Sequence, residues 1–339
     1  MTAPVAVLAV DGGNSKTDLA LVSSEGAVVA LVRGPQASPQ HLGVDGSMAV
    51  LERLLGEAER EAGIDRNGGP AAEIAALLMA GVDFPSEEAT LSAAVAERAW
   101  AERLRVGNDT FAVLRAGTER GWGVAITCGA GINCVGVGPD GRHARFPALG
   151  AITGDWGGGY DLGLAAVSAA ARSEDGRGPR TSLERAVPAH FGLETPTDLA
   201  EAIHVGRIQQ RRVIELAPLV LAEGADDAVA AGIVARLADE VVALARVALA
   251  RLELTSEPVE VLLGGGVLQS VDGDLLAAIE GGLRAVGPAI TVRPTATPAI
   301  VGAALLGLDE LDATAEAQAR LRRELGDAFS RVEGVTSIG

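Results

Sequence analysis

The first side chains that could do chemistry sit in one short turn: Asp11, Gly12, Gly13, Asn14, Ser15, Lys16, Thr17 and Asp18. Lys16 is the only lysine in the 339-residue chain; the other basic side chains, histidines aside, are arginines. An ammonium is a compact point charge on a flexible stem, suited to a phosphate in a narrow site. Gly12, Gly13 and Asn14 can offer unpaired backbone N–H groups, and Ser15 and Thr17 hydroxyls, so the turn can cradle a polyphosphate. Asp11, at the end of the preceding apolar run, is placed to hold Mg2+ through water, because that ion takes few carboxylates and keeps several waters. The competing reading is an ordinary β-turn, for which Asp-Gly is a common choice.

Three further glycine turns sit at strand ends: Gly129-Ala130-Gly131, the run from Gly154 to Gly159, and Gly264-Gly265-Gly266. Close backbone approach to a flat or polyanionic ligand needs missing side chains. Asp109 follows a strand and precedes a helix; it is a general base for a substrate hydroxyl or a helix N-cap. Asp155 lies among glycines beside Trp156 and Tyr160, as a sugar contact with the two aromatics around it, or with both aromatics in the core. His41 is a substrate contact or a solvated loop residue. The other histidines, His143, His190 and His204, share no metal-like spacing.

Composition narrows the classes. The chain is long enough for two domains with sizeable cores. A net charge of −17 argues against a general nucleic-acid or membrane-surface role but leaves room for a nucleotide held by one turn. No apolar run is long and uncharged enough to span a bilayer. Met1-Thr2-Ala3-Pro4 has no basic region ahead of the apolar run, so no signal peptide is expected. Cys128 and Cys134, the only cysteines, make neither a disulfide framework nor a zinc site, which points to a reducing cytoplasm.

The elements that would position these residues alternate strands and helices. Residues 5–10, 17–22 and 27–33 read as an antiparallel three-stranded meander; 34–44 reads as a loop and 45–62 as an amphipathic helix. A strand over 74–82, a helix over 86–97 capped by Ser86, a strand over 104–106 and a helix over 111–116 follow. The opening pattern then recurs, with strands at 123–128, 132–137 and 142–146 around a second glycine turn, about 115 residues later. The later part is mostly helical, including one helix over 212–222 and a long apolar one over 226–252. A repeated unit implies two like domains facing each other across a cleft. The expected division is 1–117 and 118–312, with a helix over 313–329 returning to the first domain.

No Walker-type loop or dinucleotide fingerprint is present. The motif set instead resembles the BadF/BadG/BcrA/BcrD ATPase-like family, most closely its N-acetylglucosamine and glucosamine kinases, within the actin/hexokinase superfamily. The resemblance covers roughly residues 5–308. Residues 11–18 match the first phosphate loop, 129–133 the second, 264–270 the adenosine motif, and Asn108-Asp109 the catalytic aspartate. Gly154-Asp155 with Gly157 matches the sugar segment, and residues 175–179 resemble a further family loop. The resemblance implies an α/β actin-like ATPase (ribonuclease H-like) fold with duplicated domains and an interdomain cleft. It also implies ATP and Mg2+ as cofactors, a small-molecule amino sugar as substrate, and transfer to its 6-hydroxyl.

Carried over residue by residue, the resemblance implies ATP contacts from Gly12, Gly13, Asn14, Ser15, Lys16, Thr17, Gly129, Ala130, Gly131, Gly264, Gly265, Gly266 and Ser270. Sugar contacts fall on Ser38, Gln40, His41, Asn108, Asp109, Asn133, Gly150 and Asp155, with Asp109 as base and Asp11 at the metal. The chain also departs from the family. Ala130 and Ile132 stand where hydroxyls are common, Ser38-Pro39 where Asn-Pro is, Ala148-Leu149 where Gly-Trp is, and Trp156 in place of a Glu. The altered sugar segment favours unacetylated glucosamine over N-acetylglucosamine. A homodimer is expected, because dimers are common for this fold and the apolar helix over 226–252 could support one. Two alternatives remain at this point: an ATP-dependent activator of a 2-hydroxyacyl-CoA dehydratase, whose cysteines would hold an iron–sulfur cluster, and a non-catalytic sugar-binding regulator. The regulator would need an output module, and no helix-turn-helix segment precedes Val5.

Overall fold

The computed structural model describes residues 5–66, 68–269, 271 and 273–336, the residues from 330 onward by backbone alone. Two compact units share the chain: Met1–Trp122 with Thr297–Gly339, and Gly123–Ala296. The first unit opens with β1 (Val5–Gly12), β2 (Lys16–Ser23), β3 (Val28–Pro35), α1 (Pro39–Ala62), β4 (Ala72–Met79), α2 (Pro85–Ala96), β5 (Ala101–Asn108) and α3 (Asp109–Gly117). The second comprises β6 (Gly123–Cys128), β7 (Ile132–Val137), β8 (His143–Arg145), α4 (Gly158–Glu174), α5 (Leu183–His190), α6 (Pro196–His204), α7 (Ala217–Glu223), α8 (Ala228–Arg251), β9 (Val259–Gly264), α9 (Gly273–Val286) and β10 (Ile290–Pro294). The chain then returns to the first unit with α10 (Ala299–Glu310) and α11 (Ala315–Thr336).

Each unit is built on one five-stranded mixed sheet, in the orders β3-β2-β1-β4-β5 and β10-β9-β6-β7-β8. Read from the other edge, the second order repeats the first: an antiparallel meander of three strands, then two strands parallel to its first. The central strands β1 and β2 are buried almost throughout, as strands covered on both faces must be. In the first unit, α1 covers one face with Met48, Leu51, Leu54, Leu55 and Ala58. On the other face lies α10, apolar along most of its length. A Cβ on Gly302 would overlap the Ala112 carbonyl of α3, and one on Gly307 the Val7 side chain of β1. Only glycine lets α10 approach so closely, and this contact places α10 with the first unit rather than the second, where the sequence boundary at 312 had put it.

Several element boundaries differ from expectation for local reasons. The expected loop over 34–44 contains the start of α1, because Pro39 fits the first turn of a helix; left-handed Gly43 (φ 68°) then interrupts it and hides its periodicity. Helix α2 begins at Pro85, not after Ser86, and the Glu87 carboxylate accepts the N–H groups of Asp83 and Phe84 at 2.8 and 2.9 Å. Strand β5 extends over its whole length beside β4; its charged residues disguise an edge strand, and Arg103 and Arg105 bind Glu310 of α10. The helix expected over 212–222 divides into a 3-10 segment (Gln210–Leu216) and α7, because Pro218 cannot donate to the preceding turn. The apolar stripe of α8, expected to support a dimer, is used inside the unit, where Leu237, Val241, Ala245 and Leu249 are all buried.

Candidate active site

The connection between β1 and β2 is a tight turn closed by the Gly13 N–H donating to the Lys16 carbonyl at 2.9 Å. A Cβ at Gly12 would overlap the Met79 thioether, and one at Gly13 would lie 2.9 Å from the Lys16 carbonyl oxygen. Asn14, Ser15 and Lys16 form the exposed tip, and the amides of Asn14 and Ser15 have no partner among the described residues. One strand position back, Asp11 and Asp18 are direct cross-strand neighbours. Asp18 is buried, and Arg33 grips it with two N–H groups at 2.7 and 3.1 Å. Burial, followed by the nearby Asp109 and Asp18 carboxylates, raises the Asp11 carboxyl well above its usual range, while Lys16 and Arg33 pull it down. These residues fit a divalent cation: the donors are carboxylate oxygens, and a cation would relieve their mutual repulsion.

Where β5 passes into α3, Asn108 and Asp109 divide two jobs. Asn108 is the cap: its Oδ1 accepts the Thr110 N–H at 2.9 Å, and its Nδ2 donates to Asp83 Oδ1 at 2.8 Å. That leaves Asp109 as the half-buried first residue of α3. Burial dominates its environment and pushes its carboxyl up to about 6, against the backbone N–H groups of Thr110 and of Asp109 itself. A value near neutrality suits a general base.

In the second unit the chemistry is mostly backbone. The turn between β6 and β7 is closed by the Gly129 N–H donating to the Gly131 carbonyl at 2.9 Å. Its other carbonyls face the start of α4, where Gly129 O accepts the Gly159 N–H at 2.7 Å and Ala130 O accepts the Tyr160 N–H at 3.0 Å. The amides of Ala130 and Gly131 have no partner among the described residues. Gly158 (φ +83°) permits this docking, since a Cβ there would sit 2.5 Å from Ala130 O. After β9, left-handed Gly265 (φ +81°) lies against the backbone of Cys128, and the Val267 N–H donates to Cys128 O at 3.0 Å. The two glycine turns therefore share one wall at the end of β6. Trp156 lines a cavity of about 490 Å3 with Asp161, Ser168, Arg172 and Arg236, and the Arg236 guanidinium stacks 4.0 Å from its ring centroid.

The pattern of the BadF/BadG/BcrA/BcrD ATPase family matches residues 8–307. The chain belongs to that family. Among curated relatives, the N-acetylmuramic acid/N-acetylglucosamine kinase of Clostridium acetobutylicum is 27% identical over 270 residues, spanning 78% of this chain and 86% of that one. The N-acetyl-D-glucosamine kinase of Dictyostelium discoideum is 26% identical over 219 residues, 62% of this chain and 69% of that one. A proposed N-acetylglucosamine kinase of Chromobacterium violaceum superposes with a TM-score of 0.67 at 24% identity, covering 90% of this chain and 99% of that chain. The fold is that of the actin-like ATPases, and no helix among the described residues is long and apolar enough to cross a membrane.

Set against this BadF/BadG-type frame, the residues expected from sequence fall into three groups. Gly12 to Lys16, Gly129 to Gly131 and Gly264 to Gly266 lie on glycine turns at strand ends, and Asp109 and Asp11 lie close enough to repel. A second group serves the scaffold. Thr17 is fully buried with no partner for its hydroxyl among the described residues, so it faces the core and not the tip of its turn. Ser38 is likewise fully buried, and its hydroxyl donates to Ala80 O at 3.0 Å. Asp155 spends one carboxylate oxygen on the Gly150 N–H at 2.6 Å and the other on the Thr153 hydroxyl, closing its own loop. The Asn133 Oδ1 accepts the Cys134 N–H at 2.7 Å. In the third group, Gln40 and His41 are exposed on the first turn of α1, and Ser270 lies outside the described residues. Tyr160 packs in the helical layer and accepts a hydrogen bond from Gln210 at 2.8 Å.

Two residues escaped the sequence reading. Asp83 orients the Asn108 amide, and Gly81 (φ +76°) brings the Ser38–Gln40 segment against the end of β4. A Gly-x-Asp run directly after a strand and before a proline was the available signal.

Proposed function

We propose that this chain is an ATP-dependent amino-sugar kinase that phosphorylates the sugar 6-hydroxyl. The observation that carries the reading is Asp109: a carboxylate freed from capping by Asn108, on the first turn of α3, with its carboxyl raised to about 6. Asp109 accepts the hydroxyl proton as the sugar oxygen bonds to the γ-phosphorus, and the bond to the β–γ bridging oxygen breaks to release ADP. In the first unit the free amides of Asn14 and Ser15 and the Lys16 ammonium supply phosphate donors; the second unit, taken by itself, offers donors of the same kind in the free amides of Ala130 and Gly131. Catalysis is then mainly positioning and charge neutralisation. Asp11 would hold Mg2+, which supplies positive charge to the phosphate oxygens when bound.

Among amino sugars, N-acetylglucosamine fits better than unacetylated glucosamine. The names of the curated relatives support it. The sequence argument for glucosamine rested on Ser38-Pro39, Ala148-Leu149 and Trp156 standing where the family has other residues; against it, Trp156 carries a guanidinium on its ring, poor company for an ammonium. Cys128 and Cys134 are both buried, with thiols raised by burial, Cys128 to about 12, which speaks against the iron–sulfur alternative. The test is ADP release across N-acetylglucosamine, glucosamine, N-acetylmuramic acid and glucose. Turnover should be fastest with N-acetylglucosamine and absent with its 6-deoxy analogue. A protein that releases ADP with none of these sugars is not the proposed kinase, and turnover of the 6-deoxy sugar would reassign the acceptor hydroxyl.

A further inference from the structure

Helix α11 lies outside the residues 8–307 that match the family, yet it reaches the lysine of the first phosphate turn. Its Phe329 ring lies under two cations: Lys16 Nζ is 5.5 Å and Arg33 Cζ 4.5 Å from the centroid. Arg33 is fixed by its paired bonds to buried Asp18, so the ring has one immobile cation on it and one mobile one. The helix itself is anchored. Arg322 donates to the carbonyls of Ala116, Arg115 and Thr118 at 2.6, 3.1 and 2.8 Å, at the end of the helix that Asp109 begins. Glu324 accepts the Val28 N–H of β3 at 3.0 Å. The same helix therefore braces the end of α3 and carries an aromatic face to the tip of the glycine turn.

We propose that Phe329 is a positioning residue for Lys16, holding its ammonium at the glycine turn so that it meets a bound polyphosphate already ordered. A lysine stem is flexible, and an exposed ammonium loses that freedom when it binds phosphate. A ring within about 6 Å attracts the ammonium electrostatically and leaves its N–H groups on the far side available. The inference rests on the reading of the turn as an ATP phosphate site.

The experiment is a double-mutant cycle read by ATP titration of the full-length protein without sugar, and by steady-state kinetics. Phe329→Leu should weaken ATP binding and raise its KM about 2- to 5-fold with kcat unchanged, the effect of losing one exposed cation–π contact. Phe329→Tyr should restore wild-type affinity. In a Lys16→Met background, Phe329→Leu should have no further effect. Equal affinity of wild type and Phe329→Leu, tighter binding by Phe329→Leu, or an undiminished effect in the Lys16→Met background overturns the positioning role while leaving the kinase reading in place. A wild-type protein that binds no ATP overturns both.

Discussion

The two units repeat one sheet topology and then put it to different chemical uses. In the first, the turn after the leading strand ends in Lys16, and the strand ends around it bring together Asp11, Asp18 and Asp109. In the second, the equivalent turn carries no charged side chain; it offers the amides of Ala130 and Gly131, held outward because α4 takes up the carbonyls. The connections differ too. One helix, α1, leads from the third strand to the fourth in the first unit, whereas α4 to α7 are inserted ahead of α8 in the second. Phosphate can be met by a point charge or by oriented amides. One scaffold thus presents a charged turn in one unit and an amide turn in the other, depending on whether charge or glycine occupies the strand ends.

Substitutions can separate the two uses. The largest effect belongs to Asp109→Asn, which should lower kcat by about 10²–10⁴ while changing ATP affinity little, read by single-turnover kinetics and titration. A near-normal rate would remove Asp109 as the base. The same variant tests what burying this carboxylate costs. Folding raises the Asp109 carboxyl from 3.8 to about 6, so its ionisation opposes folding. Its unfavourable contribution is absent below pH 3.8, grows as pH rises toward 6 and is complete above that. Asp109→Asn should therefore match wild type in stability near pH 3.5 and exceed it by up to about 3 kcal/mol at pH 8, measured by urea unfolding. In the wild type, kcat/KM should fall on the acid side of about 6 as the base becomes protonated.

The backbone-built unit should be more sensitive to shape. Gly265→Ala meets both a left-handed φ of +81° and a Cβ 2.5 Å from Cys128 O, and should cost about 2–3 kcal/mol. Gly43→Ala in the first unit, also left-handed but with nothing within 4 Å, should cost only about 1 kcal/mol. Equal losses in urea unfolding would show that the close approach to Cys128 is not what the glycine permits. A smaller kinetic effect than that of Asp109→Asn is expected for Lys16→Arg, which keeps the charge and changes its shape, raising the ATP KM about tenfold. An unchanged KM would mean that charge alone, and not a compact ammonium, is what the first turn requires.

Much of the architecture could be read from residue types alone. Alternating apolar runs broken by Gly turns mark the two meanders, and their recurrence marks the duplication, because a strand pattern and its turn chemistry are local properties. The glycine turns and Asp109 were legible for the same reason. What stayed hidden depended on neighbours distant in sequence. Ser38 and Thr17 look like available hydroxyls until packing buries them, and Asp155 looks like a free carboxylate until its own loop closes around it. Asp83 has only the short Gly81-x-Asp run as a local signature until β4 and β5 align their ends and bring Asn108 within 2.8 Å.

The sequence by itself therefore determined which turns can bare their amides, where the lone ammonium sits, and that one α/β unit occurs twice. Only the tertiary structure decided which polar groups remain free to meet a ligand, because a hydrogen bond or burial by a distant segment consumes a side chain without leaving a local mark. It also decided that α10, and not only the α11 expected from sequence, rejoins the first unit. There Gly302 fits against α3, and Phe329 lies beneath the one lysine in the chain.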